Sequence, residues 1–160
     1  MARHAKGADH RIIGRRTARA RSPNERGRMP TNSSRNVVVV LEDDHGLRTA
    51  IDRVLVMAGF RTHAYDCGED LLESGAAGEA DCLVLDVKLP GISGFEVQER
   101  LVAAGLARPV VFITAFDEPV TRGRAVAIGA SSYLTKPFLG STLIDAVRNA
   151  IAAPKARLTA

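Results

Sequence analysis

Four short apolar runs in this chain end in residues able to do chemistry. Val37 to Leu41 leads into Glu42-Asp43-Asp44, Cys82-Leu83-Val84-Leu85 into Asp86, Val110-Val111-Phe112-Ile113 into Thr114, and Tyr133-Leu134-Thr135 into Lys136-Pro137. Ligands bind outside the carboxyl ends of the strands in an open parallel sheet. If the four runs are neighbouring strands, they bring carboxylates, a hydroxyl and an ammonium to one crevice. That set suits a phosphoryl group handled with a divalent metal. A carboxylate is a competent covalent phosphoryl acceptor. Clustered acids repel one another, and a dication relieves them. Magnesium takes oxygen ligands octahedrally, commonly one or two carboxylates plus a phosphate. The transferring group needs positive charge around its equatorial oxygens, which a metal and Lys136 can supply.

Taken singly, each piece has a blander meaning. Glu42, Asp43 and Asp44 suit the N-terminus of a helix, where acids are favoured, and Asp44 is expected in that capping role. Asp86 reads alone as a strand-end carboxylate paired with Lys136, and Thr114 as a loop cap. Tyr133 reads as core packing. His45 is expected to be an exposed first-turn residue, and Phe138 to pack under the last loop.

The rest of the chain predicts the elements that would gather these residues. Val37–Leu41 is a continuous aliphatic run, as in a strand buried on both faces. Leu47, Ile51, Val54, Leu55 and Ala58 recur at helical spacing before Gly59. Residues 61–65 read as a less apolar edge strand and 70–74 as a short helix, followed by a Gly/Ala-rich loop. After the Asp86 strand, residues 94–104 read as a helix with Phe95, Val97, Leu101 and Val102 facing the core. Residues 110–115 read as a strand. Residues 118–128 form a weak helix, with Pro119 tolerated in its first turn and Gly123 inside. Residues 132–135 are the last strand, and Ser141 is placed to cap a final helix running to Ala152. Alternating strands and helices predict an α/β fold: a doubly wound, five-stranded parallel sheet with helices on both faces. The flavodoxin-like order 2-1-3-4-5 sets the first and third strands side by side.

Composition bounds the class. Of 160 residues, 46% are hydrophobic, Trp is absent and aromatics are few, so the core must be aliphatic. No run approaches the roughly 20 apolar residues of a membrane span, and the N-terminus has no apolar signal-peptide core. Cys67 and Cys82 lack metal-like spacing, so a cytoplasmic, reducing setting is expected, with Cys82 as buried packing. The net charge of +4 is unevenly spread: residues 1–36 hold ten Lys/Arg against two acids, and the remainder twelve against sixteen. Residues 1–36 are expected to be a disordered basic arm, open to reading as a nucleic-acid-binding arm, a transit peptide, or a dispensable stretch upstream of a true start at Met29. Residues 37–153 are expected to form one domain and 154–160 a tail.

From Asn36 to about Ala153 the chain resembles the receiver domain of two-component response regulators. The match is an ordered set: Glu42-Asp43-Asp44, then Asp86, Lys88-Leu89-Pro90-Gly91 with Ser93-Gly94, Thr114-Ala115 and Lys136-Pro137-Phe138. The resemblance implies that Asp86 accepts a phosphoryl group from a histidine kinase or histidine phosphotransfer protein. It implies Mg2+ held by Asp43 and Asp86, by Glu42 through water and by the backbone carbonyl of Lys88, whose side chain is expected in solvent. Thr114 and Lys136 would hold the phosphoryl oxygens, and Tyr133 would be the aromatic switch. A downstream protein would read the face of the fourth helix, fifth strand and fifth helix, and homodimerisation through that face stays open. The expectation is a stand-alone signalling module and not an enzyme, with no membrane partner and no nucleic-acid partner other than through the arm. Two alternatives differ in class. A magnesium-dependent phosphohydrolase with an aspartyl nucleophile would need an acid where Lys88 stands and a substrate-covering cap. A binding-only receiver would not need Thr114 and Lys136 together with the acids.

Overall fold

The computed structural model describes residues 35–154; the expectations for the basic arm, apart from Arg35 and Asn36, and for the tail beyond Pro154 lie outside them. The strands are β1 (Val37–Leu41), β2 (Arg61–Tyr65), β3 (Cys82–Asp86), β4 (Val110–Thr114) and β5 (Ser132–Thr135). The helices are α1 (His45–Met57), α2 (Gly68–Ser74), α3 (Gly94–Ala103), α4 (Pro119–Ile128) and α5 (Gly140–Ala152). The sheet runs β2-β1-β3-β4-β5 with every pairing parallel. This is the predicted order, and the direction of winding reverses between β1 and β3.

The aliphatic runs are buried because helices cover both faces of the sheet. β1, β3 and β4 are buried at every residue, whereas the edge strands β2 and β5 are partly exposed. The period-2 pleat divides the core. Val39, Leu41, Leu83, Leu85 and Phe112 meet Leu71, Phe95, Val97, Leu101 and Ala125 on one face. Val38, Val40, Cys82, Val84, Val111 and Ile113 meet Ile51 and Leu55 of α1 and Leu143 and Val147 of α5 on the other. Cys82 is core packing, and burial pushes its thiol up to about 12. No described helix is long and apolar enough to cross a membrane.

Three local readings need correction. α2 begins at Gly68 and not at Asp70, and the Gly/Ala-rich stretch after it holds a 3₁₀ turn, Ala76–Gly78. Val102 is 47% exposed, and Gln98 is buried on the inner face of α3 in its place. Phe95, Val97 and Leu101 are buried as expected, so the discrepancy is confined to the edge of the stripe. Ser141 does not cap α5: Leu139 holds the cap position, without a side-chain hydrogen bond.

The loop after β3 is shaped by a close approach. Pro90-Gly91 turns with Gly91 at φ +81°. Ser93 and Glu96 then form a reciprocal capping box that starts α3. A Cβ on Gly94 would sit 2.1 Å from the Asp86 carbonyl oxygen, and the Gly94 N–H donates to the Val87 carbonyl at 3.2 Å. The helix can rest on the end of β3 only where no side chain intervenes. Gly94→Ala is therefore expected to cost about 2 kcal/mol or more, read as a lower urea midpoint; an unchanged midpoint would mean the backbone yields freely.

Candidate functional site

The rim of the sheet is fixed by backbone bonds that continue one residue past the strands. Glu42 N–H donates to the Tyr65 carbonyl at 3.0 Å, Val87 N–H to Ile113 at 2.9 Å and Lys136 N–H to Thr114 at 2.8 Å. Leu41 is in register with Leu85, and Asp86 with Ile113, so Glu42 and Asp86 stand on adjoining strand ends. Both are nearly inaccessible, at 1% and 4% exposure, whereas Asp43 is exposed.

Lys136 reaches across from the end of β5 to bind both buried acids. Its Nζ lies 2.6 Å from Glu42 Oε2 and 2.7 Å from Asp86 Oδ2. The remaining carboxylate oxygens find backbone donors: Asp44 N–H donates to Glu42 Oε1 at 3.1 Å, and Lys88 N–H to Asp86 Oδ1 at 3.1 Å. Burial pushes the Glu42 carboxyl above its ordinary value, against the Lys136 and Asp44 hydrogen bonds, and the charge of Asp86 adds to the rise. Burial works against the Lys136 ammonium, but its bonds to Asp86 and Glu42 outweigh that and hold it above the usual lysine range. One oxygen from each of Glu42, Asp43 and Asp86 lies within 4.8 Å of the others. Three acids thus face a single ammonium.

The other named residues fall around this group. Asp44 is the N-cap of α1, its Oδ1 accepting from Leu47 N–H at 2.7 Å. His45 is exposed, with Nδ1 3.2 Å from an Arg48 nitrogen. Thr114 is 1% exposed, and its hydroxyl donates to the Phe116 carbonyl at 3.2 Å and accepts from the Phe116 N–H at 3.1 Å. Half-buried Tyr133 donates to that same carbonyl at 3.4 Å, and burial pushes its phenol upward. Phe138 is partly buried under the last loop. With Leu47, Lys136 and Pro137 it lines a cavity of about 280 Å³. Lys88 projects from the core as expected, but its ammonium lies 4.2 Å from the centre of the Phe116 ring.

Two positioning elements were not identified from the sequence. Arg48 donates to the carbonyls of Glu42 and Asp43, at 2.8 and 3.1 Å, and so braces the acidic turn from the first turn of α1. Phe116 engages Thr114 through its backbone. Neither contact leaves a sequence pattern, since each depends on backbone atoms brought near by the turn.

Residues 38–148 match the family model of the response regulator receiver domain. The chain belongs to that family. It is 35% identical over 115 residues to nodulation protein W of Bradyrhizobium diazoefficiens, covering 72% of this chain and 51% of that protein. It is 38% identical over 104 residues to the transcriptional regulatory protein CreB of Escherichia coli, covering 65% and 45% respectively. This receiver chain therefore spans about half the length of those curated relatives. Among solved structures, response regulator StyR aligns with a TM-score of 0.68 at 37% identity, over 74% of this chain and 60% of StyR. Chemotaxis protein CheY4 of Vibrio cholerae aligns with a TM-score of 0.68 at 23% identity, over 73% and 99%, a likeness of fold.

In this receiver, removing Lys136 would leave two adjacent buried carboxylates without their shared partner. Lys136→Met is expected to lower stability at neutral pH by about 2 kcal/mol or more. Glu42 titrates above its unfolded value, so protonation favours the native state and that contribution is lost as pH rises. Without the Lys136 ammonium both carboxylates are easier to protonate, so the Lys136→Met deficit should be smaller at acid than at neutral pH, as urea unfolding under both conditions would show.

Proposed function

We propose that the chain is a phosphoacceptor in a two-component relay, taking a phosphoryl group on Asp86 from a histidine kinase or histidine phosphotransfer protein. The observation that carries this reading is the meeting of Asp86 with Lys136 and with the Glu42 and Asp43 carboxylates at one rim of the sheet. The donor set fits Mg2+. With bonds of about 2.1 Å, octahedral ligands lie up to about 4.2 Å apart, and the three oxygens lie within 4.8 Å of one another before any adjustment. All are hard oxygen donors, and the acids outnumber the ammonium. Asp43, Asp86 and the Lys88 carbonyl would hold the ion, with Glu42 acting through water. When bound, it would supply positive charge against the phosphoryl oxygens.

The chain's own residues do the rest. An Asp86 carboxylate oxygen attacks phosphorus, the bond from phosphorus to the donor's imidazole nitrogen breaks, and an acyl phosphate forms. The Lys136 ammonium, already bonded to Asp86, moves to a phosphoryl oxygen. The Thr114 hydroxyl exchanges the Phe116 carbonyl for another phosphoryl oxygen. Tyr133 then turns into the space left, and the surface of α4, β5 and α5 changes for a downstream protein or a second copy. The chain is a signalling module and works in the cytoplasm, with residues 37–153 as the receiver, 1–36 as a basic arm and 154–160 as a tail.

Incubation with acetyl phosphate and Mg2+ is expected to add one phosphate by intact-mass measurement. Asp86→Asn should abolish it, and chelating the metal should slow it at least about tenfold. Modification persisting in Asp86→Asn would place the acceptor elsewhere. Thr114→Ala is expected to keep the phosphate yet lose the conformational response, and a full response in that variant would remove Thr114 from the switch.

A further inference from the structure

Little apolar contact holds α4 to the sheet. Only Ala125 of this helix is buried, while Val120 and Val126 are 83% and 74% exposed. The helix instead presents arginines to aromatic rings. The Arg122 guanidinium lies 5.2 Å from the Tyr133 ring centre, and that of Arg124 lies 4.8 Å from Phe95. Each is steadied by an acid: Arg122 by Asp117 at 2.5 Å, Arg124 by Glu99 at 2.7 Å. The stack of Lys88 on Phe116 makes a third. Such contacts occur roughly once per 70–80 residues. All three among the described residues engage α4 or the loop leading into it.

The Arg122 contact touches the group that the proposed switch must move. Tyr133 is pinned at two places by the segment following β4. Its hydroxyl donates to the Phe116 carbonyl, which also accepts from Thr114, so the two switch hydroxyls share one acceptor. Its ring lies under Arg122, whose Nε and terminal nitrogen fork onto the Asp117 carboxylate at 3.1 and 2.5 Å. We infer that Arg122 is a positioning residue that holds Tyr133 in its resting orientation, and that the Asp117–Arg122–Tyr133 stack sets how readily the receiver switches. This rests on the switch reading above. The Asp117 pair is exposed and contributes little by itself; its part is to aim the guanidinium. An exposed cation–π contact changes a two-state equilibrium by about two- to fivefold.

The chain has two tyrosines and no tryptophan, so a Tyr65→Phe background isolates the emission of Tyr133. The full chain in that background is titrated with beryllofluoride and Mg2+, with binding followed separately by fluorine NMR. Arg122→Met is expected to shift the unliganded emission toward the bound value and to tighten apparent binding about two- to fivefold. Asp117→Asn should act in the same direction more weakly, and Arg122→Lys should recover part of the resting signal. The Arg122→Met curve superimposing on that of the Arg122 protein would overturn the inference while leaving the switch reading intact. Binding without any Tyr133 response in the Arg122 protein itself would overturn the switch reading, and the absence of binding would overturn the phosphoacceptor reading. Either result takes the inference down with it.

Discussion

Two carboxylates with almost no access to water stand on adjoining strand ends, and a single ammonium from a third strand binds both. Burying charge is costly unless it is paired. Glu42 and Asp86 are therefore tolerable only if β1 and β3 are neighbours and β5 ends at the same rim. The strand order β2-β1-β3-β4-β5 meets that condition. Everything nearby serves the same constraint. Backbone ladders extend past the strands to hold Glu42, Val87 and Lys136 in place, and Arg48 ties down the acidic turn. Gly94 lets α3 approach the Asp86 carbonyl.

The arrangement is balanced but not neutral. Lys136 satisfies Glu42 and Asp86, while Asp43 remains exposed beside them. An excess of negative charge at a fixed rim is what a small, hard cation would relieve. A residue that pairs two acids can change partners without leaving the site. Thr114 and Tyr133 both bond the Phe116 backbone. Beyond them lies α4, the described α-helix with the fewest buried residues, which sets Arg122 and Arg124 over the rings of Tyr133 and Phe95. Burial is dense where the acids are held and sparse along α4.

Much of the fold was legible because burial leaves a period in the sequence. The runs 37–41, 82–85 and 110–113 are continuously apolar because helices cover both faces, and the edge strands betray themselves by their polar residues. Helix ends were legible where glycine or proline punctuates them, as at Gly129 and Pro154. Legibility failed where the evidence is angular or local. Val102 and Gln98 are one turn apart on the same side of α3, and their apolar and polar character favoured the wrong one. Ser141 is a good capping residue placed two residues too late. The capping box of Ser93 and Glu96 also lies in the sequence as a Ser-x-x-Glu pattern at the start of α3.

The types of the reactive residues, their positions after apolar runs and the parallel order of those runs were determined by the sequence alone. Hydrophobic periodicity dictates the elements, and handed crossovers leave few ways to join them. Only the tertiary structure decided that Lys136 bridges two acids, that Arg48 braces their turn, that Lys88 lies over Phe116 and that Arg122 covers Tyr133. These contacts join residues far apart in the chain, or side chains to backbone atoms. They depend on distances and directions set by packing, and no local pattern of residue types encodes them.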